Sequence, residues 1–146
     1  MIGEPLNILL VEDNLDHMEL IRRSFEDHRI ANRLFHVEDG EEALDFLFGR
    51  GKFADPATRP LPHLILLDLR LPKIDGLDVL KEIKEDETLR KIPVTVLTTS
   101  EAETDVAMAY AHHANSYMVK PVDFDKFHNL MNDLGLYWLA WNRKPY

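Results

Sequence analysis

The stretch "HLILLDLRLP", His63 to Pro72, limits the choice of fold more than any other part of the chain. Leu64, Ile65, Leu66 and Leu67 are apolar without alternation, as in a strand buried on both faces of a parallel sheet. Such a strand needs cover from helices on either side. It ends on Asp68, and a carboxylate there is costly unless it is solvated, paired or bound to a cation.

The rest of the chain repeats the theme. Asn7 to Val11 is an apolar run followed at once by "EDN", after which Leu15, Met18, Ile21 and Phe25 recur at helical spacing. Arg33 to Val37 reads as a short strand, and Asp39 with Glu42 forms an N-cap signature before "ALDFLF". Gly49 to Pro62 is rich in glycine and proline and reads as an unusually long loop. Beyond Asp68, "PKIDG" is turn material, with Asp75-Gly76 as turn and helix start. Leu77, Leu80 and Ile83 then share a helical face, and the charged run "KEIKEDE" reads as a solvated one. Val94 to Thr98 is a strand after Pro93. Ser100 and Glu103 form a capping box that opens a helix to about Ala111. Ser116 to Lys120 is a fifth strand, and a last helix spans about 123–142. Five strand-then-helix units predict an α/β fold, a parallel sheet with helices on both faces, as one domain over 1–146.

Composition narrows the function. A chain of 146 residues, 45% of them hydrophobic, can bury a real core. Seventeen basic against 26 acidic residues give a net charge of −9, which disfavours nucleic acid and anionic membranes as partners. Without cysteine there is no disulfide, thiolate metal site or cysteine nucleophile. The amino-terminal run "ILLV" is too short for a signal peptide and no run reaches membrane-spanning length, so a cytoplasmic protein is expected.

In open parallel sheets polar function gathers at the carboxyl ends of the strands. Those ends carry Glu12 and Asp13, Asp68, Thr98 and Lys120. Three carboxylates in one crevice call for a cation. Oxygen ligands with no cysteine and no well-placed histidine suit Mg²⁺ or Mn²⁺. Such an ion leaves room for a phosphoryl group, and an aspartate can accept one as an acyl phosphate. Lys120 and Thr98 would then stabilise the phosphoryl oxygens. Taken singly, each residue has a plainer reading: Glu12-Asp13 as helix N-terminal acid, Thr98 as a strand residue, Lys120 as a surface lysine, Tyr117 as half-buried packing. Only the set carries the chemistry.

"LLVEDN", "LILLDLRLPKIDG", "VTVLTTS" and "SYMVKP" together resemble the signature segments of receiver domains of two-component response regulators, in order and over almost the whole chain. The resemblance implies a flavodoxin-like (βα)5 doubly wound sheet with strand order 2-1-3-4-5. It implies that Asp68 takes a phosphoryl group from a sensor histidine kinase and that the domain catalyses its own phosphotransfer and dephosphorylation. Asp13 and Asp68 would bind Mg²⁺ directly, Glu12 partly through water, and the backbone carbonyl of Arg70 would complete the protein ligands. Thr98 would donate to the phosphoryl oxygen, Lys120 would pair with it, and Tyr117 would be the aromatic switch that turns inward. The Lys120–Pro121 bond is often cis in this family. The long loop, the Asp68 segment, "LRKIPVTVLTTS" and the aromatic tail also resemble single-domain regulators paired with bacterial phytochrome-type kinases, although Arg70 stands where those relatives commonly carry Asn and "VKP" after Tyr117 is nearer the general receiver pattern.

Two other functions use similar parts. A small Mg²⁺-dependent aspartyl-phosphate phosphatase would usually need a second Asp two residues after the nucleophile, where this chain has Arg70. A flavin mononucleotide binder would need a glycine- and hydroxyl-rich phosphate cradle, which "EDNLD" lacks. No DNA-binding or catalytic segment follows the fifth strand, so output is expected through protein contacts. In the last helix, Phe124, Phe127, Leu130 or Met131, Leu134, Trp138 and Trp141 form one apolar stripe, while Leu136, Tyr137 and Leu139 add other faces. A helix apolar all round needs a second cover; core packing of an irregular tail or a kinase surface would supply one, and a homodimer about a two-fold axis is the expected one.

Overall fold

The computed structural model describes residues 6–27, 32–98, 113–114, 116–120, 125–126 and 128–129. Five strands form one parallel sheet: β1 (Leu6–Val11), β2 (Asn32–Val37), β3 (Leu64–Asp68), β4 (Val94–Thr98) and β5 (Ser116–Val119). Their order is β2-β1-β3-β4-β5, as expected. The described helices are α1 (Leu15–Asp27), α2 (Gly40–Phe48) and α3 (Gly76–Glu85). The expected helix after Ser100, the Lys120–Pro121 bond and most of the expected 123–142 helix lie outside the described residues. No helix among the described residues is long and apolar enough to cross a membrane.

Local chemistry sets the helix starts. Asn14 caps α1: its Oδ1 accepts the His17 N–H at 3.0 Å and its carbonyl the Met18 N–H at 3.0 Å. Asp39 caps α2 by accepting the Glu42 N–H at 2.7 Å. The Glu42 carboxylate reaches back to the Glu38 N–H, one residue earlier than a strict capping box requires. α3 starts after Asp75, with no side-chain cap bond.

Strand alternation divides the core into two layers. Leu9, Val11, Ile65, Leu67, Val94 and Val96 pack with Ala43, Leu44 and Leu47 of α2 and with Val79, Leu80 and Ile83 of α3. The alternate residues Ile8, Leu10, Leu64 and Leu66 are equally buried, so the sheet is covered on both faces, and Ile21 of α1 is buried too. Leu15 departs from the expected apolar stripe and stands 56% exposed. It opens α1 beside the strand ends, where the sheet gives way to solvent.

Two further segments gain detail. The 49–62 segment is the expected long connection, to which the structure adds short 3-10 turns at Gly51–Phe53 and Pro56–Thr58. Phe53 packs edge-on against Phe46 at 5.0 Å between ring centroids, which ties the segment to the core. The "KEIKEDE" run is not uniformly solvated. Lys84 donates to the Arg90 and Ile92 carbonyls at 3.2 and 3.0 Å, and burial holds its ammonium below the ordinary lysine value.

The connection from β3 to α3 is closed from both sides. The Gly76 N–H donates to the Leu69 carbonyl at 3.1 Å, and the Gly40 N–H to Pro72 at 3.3 Å. A Cβ on Gly76 would come within 2.3 Å of the Asp68 carbonyl oxygen, and one on Gly40 within 2.0 Å of the Ile74 carbonyl oxygen. Both obstacles are backbone and cannot swing aside. Gly76→Ala and Gly40→Ala should each destabilise the fold by about 1–3 kcal/mol through overpacking, read as a lower urea midpoint at unchanged slope. An unchanged midpoint would mean that the connection yields freely.

Candidate phosphoryl and metal site at the strand ends

The pairing register gathers the polar residues. Ile8 pairs with Leu64 and Leu10 with Leu66, so the next residues in that phase are Glu12 and Asp68. Asp68 pairs with Leu97, and Leu97 with Met118, which puts Lys120 in the same phase one step beyond β5. Glu12, Asp68 and Lys120 thus emerge on one face at one edge of the sheet. Glu12 is 0% exposed and Asp68 6%.

Lys120 joins these carboxylates. Its Nζ donates to Asp68 Oδ2 at 2.8 Å and pairs with Glu12 Oε1. The other oxygen of each carboxylate is held by backbone: the Arg70 N–H donates to Asp68 Oδ1 at 2.9 Å, and the Asn14 N–H to Glu12 Oε2 at 3.2 Å. Asp13 is exposed, and carboxylate oxygens of Glu12, Asp13 and Asp68 lie within 4.8 Å of one another. Burial pushes the Glu12 carboxyl up from 4.5 to about 7; the Lys120 hydrogen bond opposes this, and neighbouring Asp68 adds to it. Burial pulls Lys120 down, but its bonds to Asp68 and Glu12 outweigh this and hold it above the ordinary lysine value.

Three carboxylates converge here and one ammonium pairs with two of them, so a divalent cation fits the donor set. Sequence reasoning anticipated Glu12, Asp13, Asp68 and Lys120 as a group, and they are together. Thr98 closes β4, and its pairing partner Val119 immediately precedes Lys120. Tyr117 pairs with Val96 on β5 and is 36% exposed. Arg70 is exposed, with its amide turned to Asp68. Pro121 lies outside the described residues.

One neighbour was missed. It is His17, whose Nδ1 lies 3.1 Å from Lys120 Nζ and 3.9 Å from Glu12 Oε1, beside the lysine and outside the group of carboxylates that could hold a metal. A signal was present in the sequence: His17 stands four residues after Asp13 and three after the helix cap Asn14, in the first turn of the helix that follows the acidic pair.

This sheet order with an acid–lysine cluster at its carboxyl edge defines a phosphoacceptor signalling domain, and the chain belongs to the response regulator receiver domain family, whose pattern matches residues 8–132. It is a response regulator of the two-component phosphotransfer class. It is 46% identical over 142 residues to the probable methanogenesis regulatory protein FilR2 of Methanothrix harundinacea, covering 97% of this chain and 89% of that one. Among solved structures, it matches the bacteriophytochrome response regulator AtBRR with a TM-score of 0.84 and 42% identity, over 95% of this chain and 99% of that chain. The Mn²⁺-bound form of response regulator Rcp1 matches with a TM-score of 0.75 and 38% identity, over 97% and 100%. The phosphorylated cyanobacterial phytochrome response regulator RcpA matches with 0.76 and 38%, over 92% and 94%.

The raised Glu12 value has a consequence for metal-free protein. Between pH 4.5 and about 7 the folded state holds the Glu12 proton more tightly than the unfolded chain does. Stability contributed by this group is therefore present at the acid end of that window and is lost as pH rises through it. Urea titrations in a chelator should show this fall, and Glu12→Gln should flatten it. The same slope in both proteins would remove Glu12 as its source.

Proposed function

We propose that the chain is a phosphorylation-dependent switch in which Asp68 accepts a phosphoryl group from a sensor histidine kinase. The observation that carries this is the buried Asp68 carboxylate, held by Lys120 on one oxygen and by the Arg70 amide on the other. A carboxylate oxygen attacks phosphorus, the new P–O bond replaces the P–N bond of the donor phosphohistidine, and the departing imidazole nitrogen takes up a proton. Lys120 then loses its ionised partner on Asp68 and turns to a phosphoryl oxygen, which the length and freedom of its side chain allow. Thr98 donates to another phosphoryl oxygen, and Tyr117 moves inward as Thr98 shifts. Phosphorylation shifts a pre-existing population toward that state.

Glu12, Asp13, Asp68 and the Arg70 carbonyl would hold Mg²⁺, which when bound offsets the negative charge of the carboxylates and of the phosphoryl oxygens. The convergence of three carboxylate oxygens within 4.8 Å of one another and the Mn²⁺-bound form of Rcp1 support a divalent ion here. The domain also catalyses loss of its own phosphoryl group to water.

A phytochrome-type kinase is the proposed donor, supported by the likeness to AtBRR and RcpA. Residues 1–146 form one receiver domain that acts in the cytoplasm, consistent with its charge of −9 and lack of cysteine. It forms a homodimer through the 123–142 segment, whose aromatic residues exceed what one docked face uses.

With Mg²⁺ and acetyl phosphate the protein should gain one phosphoryl group that hydroxylamine removes. Asp68→Asn should abolish the gain, and label persisting in that variant would move the acceptor elsewhere. Asp13→Ala should weaken Mg²⁺ binding, measured as a smaller rise in melting temperature on adding the ion. Light scattering at micromolar concentration should give a dimer, converted to a monomer by truncation after Leu134. A monomeric wild type, with and without a phosphoryl mimic, would refute the assembly.

A further inference from the structure

We infer that His17 is a positioning residue for Lys120, fixing its ammonium through Nδ1 while the carboxylate partners of that ammonium are drawn into the reaction. A lysine ammonium has three protons to donate and accepts nothing. Lys120 faces three acceptors: Asp68 Oδ2 at 2.8 Å, Glu12 Oε1, and His17 Nδ1 at 3.1 Å. Because the lysine can only donate, the ring accepts through Nδ1 and carries its proton on Nε2.

The three acceptors have different fates. On the proposed function, which supplies the kinetic consequence drawn here, Asp68 becomes an acyl phosphate and Glu12 serves a divalent ion. His17 is the acceptor that neither event consumes. Without it, Lys120 would keep its charge and lose a fixed direction just when it must aim at a phosphoryl oxygen.

The backbone that carries the imidazole is held at the start of α1. The His17 backbone N–H donates to Asn14 Oδ1 at 3.0 Å, and the Asn14 backbone N–H donates to Glu12 Oε2 at 3.2 Å. These bonds fix the point from which the ring reaches Lys120, which in turn pairs with Glu12. The His17 side chain is 36% exposed, so replacing it leaves the core intact.

Two substitutions separate positioning from bulk. His17→Asn keeps an acceptor, its amide oxygen, at the same number of bonds from Cβ as the ring Nδ1. His17→Leu removes the acceptor and keeps much of the volume. With acetyl phosphate and saturating Mg²⁺, His17→Leu should slow phosphoryl gain by about tenfold, the scale of loss when a supporting partner is removed, with Mg²⁺ affinity unchanged. His17→Asn should recover most of the rate. In metal-free protein, ¹⁵N NMR should find His17 Nδ1 as an unprotonated acceptor. The Lys120 Nζ resonance should shift in His17→Leu and return in His17→Asn. Wild-type rate and an unmoved Lys120 resonance in His17→Leu would overturn the inference, as would Asn restoring the resonance but not the rate. If wild type takes no phosphoryl group at Asp68, the proposed function fails, and the Lys120 resonance alone decides whether His17 holds the ammonium.

Discussion

The ammonium of Lys120 is the contact on which the functional edge depends. It neutralises Asp68 and Glu12, which are buried at the ends of two neighbouring strands. A buried carboxylate without a partner costs several kcal/mol, so neither acid could occupy its place alone. The strand order makes the requirement demanding. β5 is separated from β3 by β4, so the lysine must cross about two strand spacings, roughly 9–10 Å. A long, flexible side chain extending over the end of β4 can do this; a shorter cation could not. The short β5, ending at Val119, releases the chain at the point from which that reach works.

Much of this was legible because the governing signals are local. Unbroken apolar runs mark β1 and β3 as central strands, and a carboxylate at the end of each is visible without tertiary information. Asp39 and Glu42 announced α2, and period-2 alternation then puts Glu12 and Asp68 in one phase once the strands are paired. What escaped depends on distances no local window contains. His17 meets Lys120 only because α1 returns over the sheet, a contact between residues 103 apart in sequence. Leu15 fits the helical stripe by spacing, but burial depends on what lies beneath it, and it is exposed. Phe53 reads as one aromatic in a loop until Phe46 is beside it.

The same cluster explains why the acidic pair is asymmetric. Glu12 is enclosed, paired to Lys120 and to the Asn14 amide, whereas Asp13 faces solvent. An enclosed carboxylate is held in a fixed orientation, while an exposed one can gain or lose a ligand without a desolvation cost. The longer glutamate side chain also lets the buried position reach the ammonium from β1. The two adjacent acids therefore differ in role. Glu12 is part of the frame, and Asp13 is the open side through which an ion or donor group would approach.

Stiffness is also unevenly distributed around Asp68. The residues that follow it are confined by bonds from Gly76 to Leu69, Ile74 to Pro72 and Gly40 to Pro72, and by two glycine contacts too close for any side chain. Lys73 holds a left-handed φ of 67° within this connection, a conformation that persists only where the surroundings enforce it. On the other side, β5 is an edge strand and Tyr117 is 36% exposed. Displacing an edge residue breaks fewer packed contacts than deforming the closed β3–α3 connection. On the proposed phosphorylation, a group added to Asp68 would meet a rigid wall toward α2 and α3 and a more compliant one toward β5, the strand that carries Tyr117 and leads into Lys120.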